Sequence, residues 1–132
     1  MSPRPAATVL IVEDEPDIRA LILREVEQMG LRPLPCASAR DALREPERFD
    51  LALIDVLLPA VSGVTVAHEL RRRETTARLP IIFVTIVDQV AGIEDLDPPA
   101  MILNKPFPRA ELRRTITEAL ESTGEAGANH PG

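Results

Sequence analysis

The apolar positions of the chain change period as it proceeds, and the changes define its elements. Thr8 to Val12 (TVLIV) is a continuous apolar run rich in β-branched residues, the pattern of a strand covered on both faces. Glu13 and Asp14 end it, and Glu15-Pro16 opens a helix, because proline is tolerated in a first turn. Ile18, Leu21, Ile22, Val26 and Met29 then recur at helical spacing, and Gly30 stands where a helix C-terminal glycine belongs. Leu31 to Ala37 (LRPLPCA) reads as a strand, and its two prolines, which cannot donate to a ladder, assign it to an edge. Ser38 caps a short helix from Ala39 to Arg44. Phe49 to Asp55 (FDLALID) reads as a central strand, Pro59 to Gly63 as a turn, and Val64 to Arg73 as a helix with Val64, Ala67, His68 and Leu70 near one face.

Leu79 to Thr85 (LPIIFVT) is a further buried strand. Val87 to Leu96 reads as a short or irregular fourth helix, interrupted by Gly92 and closed by Pro98-Pro99. Ala100 to Leu103 is a short fifth strand, and Pro108 starts a last helix with Leu112, Ile116 and Leu120 on one stripe. From Ser122 the composition turns to Gly, Ala, Asn and Pro, the expectation being a frayed tail over 122–132 after a single domain over 1–121.

Strands alternating with helices give a parallel sheet covered on both faces. Right-handed crossovers and an edge position for the second strand favour the flavodoxin-like order 2-1-3-4-5. The expected fold class is thus α/β, a (βα)5 three-layer sandwich. Sites in such sheets lie beyond the carboxyl ends of the strands. The residues at those ends are polar: Glu13-Asp14 after the first strand, Asp55 after the third, Thr85 after the fourth, and Asn104-Lys105 after the fifth.

Three carboxylates brought together require a cation, and oxygen ligands with room for water suit Mg²⁺ or Mn²⁺ rather than zinc. A lysine beside them supplies a compact positive charge for a phosphate oxygen. A threonine hydroxyl supplies a hydrogen bond. The set describes phosphoryl transfer, in which positioning and charge neutralisation carry the catalysis and a central Asp55 is the nucleophile. Fourteen of the 15 basic residues are arginine, so the chain has a single lysine, Lys105, and it falls at this edge.

Bulk properties narrow the classes further. A length of 132 residues, 45% of them hydrophobic, fits one domain with an ordinary core. A net charge of −6 disfavours direct nucleic-acid binding. The one cysteine, Cys36, sits in an apolar stretch and reads as a buried structural thiol in a reducing compartment. The N-terminal segment lacks the apolar run of a signal peptide, and the apolar runs are too short to span a bilayer, so a soluble cytoplasmic protein is expected. The initiating Met1 and the frayed tail favour a complete gene product. His68 reads as structural or surface, and Arg71-Arg72-Arg73 as a solvated helix end.

Val9 to Arg19 (VLIVEDEPDIR), Leu51 to Gly63 (LALIDVLLPAVSG), Ile81 to Thr85 (IIFVT) and Asn104 to Phe107 (NKPF) together resemble the receiver domain of two-component response regulators, over about Thr8 to Leu120. The resemblance implies that Asp55 is the phosphoacceptor, that Thr85 and Lys105 contact the phosphoryl group, and that Glu13, Asp14, Asp55 and the Leu57 backbone carbonyl hold Mg²⁺ or Mn²⁺. It implies a cis Lys105-Pro106 peptide. It also implies a sensor histidine kinase or histidine phosphotransfer protein as donor, and a downstream protein target. A homodimer through the face of the fourth helix, fifth strand and fifth helix is a further implication.

Three departures stand out. Ile86 occupies a position that is usually small, Ile102 one that is usually aromatic, and Leu57 and Val87 positions that often carry polar residues steering water. They imply slow loss of the phosphate. Two other functions stand beside this one. One is a phosphorylation-independent binding module on the same fold, motivated by Ile86 and Ile102. The other is an Asp-based hydrolase, disfavoured because Leu57 stands where such enzymes carry a second acid.

Overall fold

The computed structural model describes residues 6–46, 48–86 and 90–128, with side chains to 122. Five strands alternate with helices: β1 (Thr8–Val12), α1 (Pro16–Gln28), β2 (Arg32–Cys36), α2 (Ala39–Leu43), β3 (Leu51–Asp55), α3 (Gly63–Arg71), β4 (Ile81–Thr85), β5 (Met101–Asn104) and α4 (Arg109–Ala128). Short 3₁₀ turns occupy Glu74–Thr76 and Ile93–Asp95. All the strand pairings are parallel and the order is β2-β1-β3-β4-β5. This is the expected flavodoxin-like arrangement.

Strand β2 lies at the edge for the reason its prolines give. Arg32 N–H donates to the Ala7 carbonyl (2.9 Å), so the alternate positions Pro33 and Pro35 face outward, where a ladder needs no donor.

Alternation along the strands divides the core in two. Leu10, Val12, Ala52, Ile54, Ile81 and Phe83 pack under α2 and α3. Val9, Ile11, Leu51, Leu53, Ile82, Val84 and Leu103 pack under α1 and α4, meeting Ile22, Val26, Leu112 and Ile116. Helix α2 is capped as its sequence indicates, Ser38 Oγ accepting from Asp41 N–H at 3.1 Å. Cys36 is buried and free, and burial pushes its thiol up to about 11.

The fourth helix is as irregular as its sequence indicates, and other expectations need correction. Gly92 takes φ +87°, a left-handed conformation that interrupts any regular helix, and only the 3₁₀ turn Ile93–Asp95 follows it. Val87 lies outside the described residues. This crossover instead lies against α3, where His68 Nε2 is 2.9 Å from the Gly92 carbonyl, with Val90 and Leu96 buried in the core. Leu21 is exposed, and the buried α1 position between Ile22 and Val26 is Glu25. Arg71 and Arg73 do more than solvate a helix end, since they donate to the carbonyls of Leu79 (2.9 Å) and Leu43 (2.7 Å). Helix α4 runs from Arg109 to Ala128 and so enters the stretch that begins at Ser122.

Candidate functional site

Parallel pairing brings the carboxyl ends of β1, β3, β4 and β5 to one edge. β1 is directly beside β3, with Val12 level with Ile54. The next residues, Glu13-Asp14 and Asp55, therefore converge. One carboxylate oxygen from each of Glu13, Asp14 and Asp55 lies within 4.8 Å of the others. Glu13 and Asp55 are buried and Asp14 is half-buried.

Lys105 reaches the same point from the far side of the sheet. Its Nζ is 2.8 Å from Glu13 Oε1 and 3.2 Å from Asp55 Oδ2. The backbone ties this end of β5 to β4, with Lys105 N–H donating to the Thr85 carbonyl at 2.8 Å. The Lys105-Pro106 peptide is cis. Burial alone would lower the lysine, but the Glu13 hydrogen bond and the Asp55 charge outweigh it and hold it above its ordinary value. Burial raises Glu13, and the Asp55 charge adds to it. The Lys105 bond opposes them without cancelling the rise.

The opposite side of Asp55 is fixed by backbone. Leu57 N–H donates to Asp55 Oδ1 at 3.0 Å, so both carboxylate oxygens have partners. Gly63 N–H donates to the Val56 carbonyl at 2.9 Å, and α3 begins hard against β3. A Cβ on Gly63 would collide with the Asp55 carbonyl oxygen and come within 2.8 Å of the Ile54 side chain. Only glycine lets α3 approach this closely, which fixes the path of the chain after the aspartate.

Thr85 is completely buried at the end of β4, diagonal to Asp55 across the sheet. Two apolar residues next to site residues in the chain are exposed. The side chains of Leu57 (51% exposed) and Ile86 (65%) stand in solvent beside the acidic centre. Ile102 is 40% exposed on β5, the strand at the other edge of the sheet.

The donor set fits a small divalent cation. It is all oxygen, its span leaves space for the cation and water, and its negative charge exceeds what Lys105 neutralises. Glu13, Asp14 and Asp55 each offer one carboxylate oxygen to such an ion.

A profile of the response regulator receiver domain matches residues 9–117. The chain belongs to this receiver family. It is 34% identical to the phosphate regulon transcriptional regulatory protein PhoB of Pseudomonas aeruginosa, over 94% of this chain and 56% of PhoB. It is 33% identical to the response regulator receiver protein CpdR of Brucella abortus, over 85% of this chain and 95% of that protein. The receiver thus spans about half the length of some curated relatives and nearly all of another. The receiver domain of the P. aeruginosa sensor histidine kinase PA1611, solved with magnesium coordinated in its active-site cleft, superposes with a TM-score of 0.76 at 31% identity, covering 89% of this chain and 99% of that one. The Vibrio cholerae chemotaxis response regulator CheY4 superposes with a TM-score of 0.82 at 25% identity, covering 88% and 100%. Among the described residues, no helix of this receiver is long and apolar enough to cross a membrane.

The sequence located the acidic cluster and the lysine. It did not single out Gly63 as obligatory for close packing, nor Arg19, whose guanidinium bonds to the backbone of the acidic loop.

Proposed function

We propose that this receiver is a phosphoacceptor signalling protein of a two-component system, taking a phosphoryl group onto Asp55 in a Mg²⁺-dependent step. One observation carries the reading: Asp55 at the end of β3 is buried among the two carboxylates that follow β1 and the chain's single lysine, which follows β5.

The donor is a phosphohistidine on a sensor kinase or phosphotransfer protein. An Asp55 carboxylate oxygen attacks phosphorus. The phosphorus–nitrogen bond breaks and its electron pair returns to the histidine. Leu57 N–H and Lys105 fix the attacking carboxylate. Lys105 then follows the charge onto a phosphoryl oxygen, and the Thr85 hydroxyl takes another. A bound divalent cation supplies charge neutralisation for the transferring oxygens. Apart from this self-catalysed transfer and the hydrolysis of the aspartyl phosphate by water to free carboxylate and inorganic phosphate, the protein is not an enzyme.

The phosphoryl group brings up to two negative charges into a buried site, and the repacking that follows alters a protein-binding face. The downstream partner is a protein rather than nucleic acid, given the net charge of −6. A second copy docking through β5, α4 and the β4–β5 crossover is one such partner. Residues 1–121 form the receiver unit, 122–132 a terminal extension, and the compartment is the cytoplasm.

The exposed Ile86 and Ile102 favour a second reading, a binding module that works without phosphate. Addition of Mg²⁺ and beryllofluoride, a phosphoryl mimic, separates the two. The phosphoacceptor reading predicts Mg²⁺-dependent shifts of the Asp55, Thr85 and Lys105 amide resonances, absent in Asp55→Asn. A spectrum unchanged in wild type contradicts it.

A further inference from the structure

Arg19 lies in the first turns of α1 and touches no carboxylate of the site. Its Nη1 donates to the carbonyl of Glu13 at 2.9 Å and to that of Asp14 at 3.3 Å. Its backbone N–H donates to the carbonyl of Glu15 at 2.9 Å. The guanidinium therefore engages two consecutive carbonyls, those of both β1-end acids, while the Glu15 bond is the first backbone bond of α1. Lys105 holds the Glu13 carboxylate at 2.8 Å, and among the described residues Asp14 has no comparable side-chain brace. Glu15 makes no side-chain cap on α1, and Glu15 N–H reaches only Glu13 Oε2, at 3.3 Å. Upstream, Glu13 N–H is held by the Cys36 carbonyl at 3.1 Å.

The choice of acceptors matters. A guanidinium bonded to the carboxylates would occupy the oxygens a cation needs. Bonded to the carbonyls, it fixes the turn and leaves the carboxylate oxygens of Asp14 clear. Both bonds come from the single nitrogen Nη1, so a lysine ammonium reaching the same point can make part of the contact.

We propose that Arg19 is a positioning residue for the divalent-cation site: by clamping the Glu13 and Asp14 carbonyls through its guanidinium it holds Asp14 in a binding-ready geometry. The proposal rests on the reading of Glu13, Asp14 and Asp55 as a cation site. Two effects compete when Arg19 is removed. Loss of the clamp weakens cation binding, since the loop must be ordered at the expense of affinity. Loss of a nearby positive charge strengthens it. Partners that orient ligating groups typically contribute about 10- to 100-fold in metal affinity. A single charge facing solvent on one side acts through high dielectric and contributes less. The clamp therefore dominates.

The test is a Mg²⁺ titration of the full chain followed by amide resonances of the β1–α1 loop, with the Mg²⁺-induced rise in melting temperature as second readout. Arg19→Ala is expected to bind at least about tenfold more weakly than wild type. Arg19→Lys recovers part of the loss. Arg24→Ala, which removes an exposed charge from the same helix, leaves the affinity unchanged. Melting in EDTA shows whether each variant is folded, and Arg19→Gln replaces Arg19→Ala if the latter is not. Equal or tighter binding by Arg19→Ala overturns the proposal, as does a matching loss in Arg24→Ala. If wild type itself shows no Mg²⁺-dependent shift in this loop, the cation-site reading fails and this proposal with it.

Discussion

Replacing Lys105 with methionine keeps the length and apolar stem of the side chain and removes its charge. In the folded protein Lys105 Nζ sits 2.8 Å from Glu13 and 3.2 Å from Asp55, with all three side chains at most 9% exposed. Removing one partner of a buried ion pair leaves an uncompensated charge and typically costs about 3–5 kcal/mol. Here the lower figure applies, because Glu13 can escape by protonation and Asp55 keeps its bond from Leu57 N–H. A loss of about 3 kcal/mol, at a urea slope of about 2 kcal/mol/M, lowers the midpoint by about 1.5 M. The chain has no Trp or Tyr, so far-ultraviolet circular dichroism is the suitable probe.

The deficit must depend on pH in one direction. Glu13 is already raised above its ordinary 4.5 by burial, and loses its main opposing influence when Lys105 goes. Well below 4.5 the carboxyl is protonated in both states and contributes nothing. As pH rises from 4.5 towards the folded value, the unfolded carboxyl ionises first. The native state then binds more protons, and stability falls with rising pH until the folded carboxyl also ionises. The variant is thus closest to wild type at acid pH. Mg²⁺ at about a hundred times its dissociation constant should restore about 2.7 kcal/mol by binding only the folded state. A deficit under about 1 kcal/mol at pH 7.5, or one that does not change from pH 5 to 8, refutes this electrostatic reasoning.

Gly63→Ala forces α3 away from β3 and should lose about 1–3 kcal/mol, together with slower phosphorylation of Asp55, whose carbonyl it strikes; melting and transfer rates measured on one sample check both. Cys36, with its thiol near 11 in the folded chain against an ordinary 9.0, should resist disulfide reagents at pH 8 until urea unfolds the protein. Stability should also decline between pH 9 and 11, where the unfolded thiol ionises first; rapid labelling of the native state contradicts the burial argument. The phosphorylated protein should lose its phosphate slowly, because the exposed Leu57 offers no polar atom to orient water. Leu57→Asn should hasten hydrolysis, by less than the roughly 100-fold that a well-placed acid–base group contributes.

How much of this was legible in the sequence depended on whether a residue's partner is implied by its own position. Strand ends are implied, since apolar runs stop where the sheet edge begins, and so Glu13, Asp14, Asp55, Thr85 and Lys105 could be assembled before any coordinates. Pro33 and Pro35 likewise announced the edge strand. Glu25 could not be read this way. Its helical position is polar in sequence, and what buries it is Arg113, 88 residues away, whose Nε donates to Glu25 Oε2 at 2.8 Å, with Arg109 at 3.4 Å. Arg19 was hidden for a related reason, as its acceptors are main-chain carbonyls that carry no residue signature. The irregular fourth helix was legible because Gly92 and the Pro98-Pro99 pair mark the break, but the packing of Val90, Ile93 and Leu96 into the core was not.

The most direct test of the phosphoacceptor reading is intact mass after incubation with acetyl phosphate, with and without Mg²⁺, alongside an Asp55→Asn control and a histidine-kinase donor in parallel. The reading predicts a Mg²⁺-dependent gain of one phosphoryl group in wild type from at least one donor, and none in Asp55→Asn. No gain from either donor, or a gain that survives in Asp55→Asn, contradicts it.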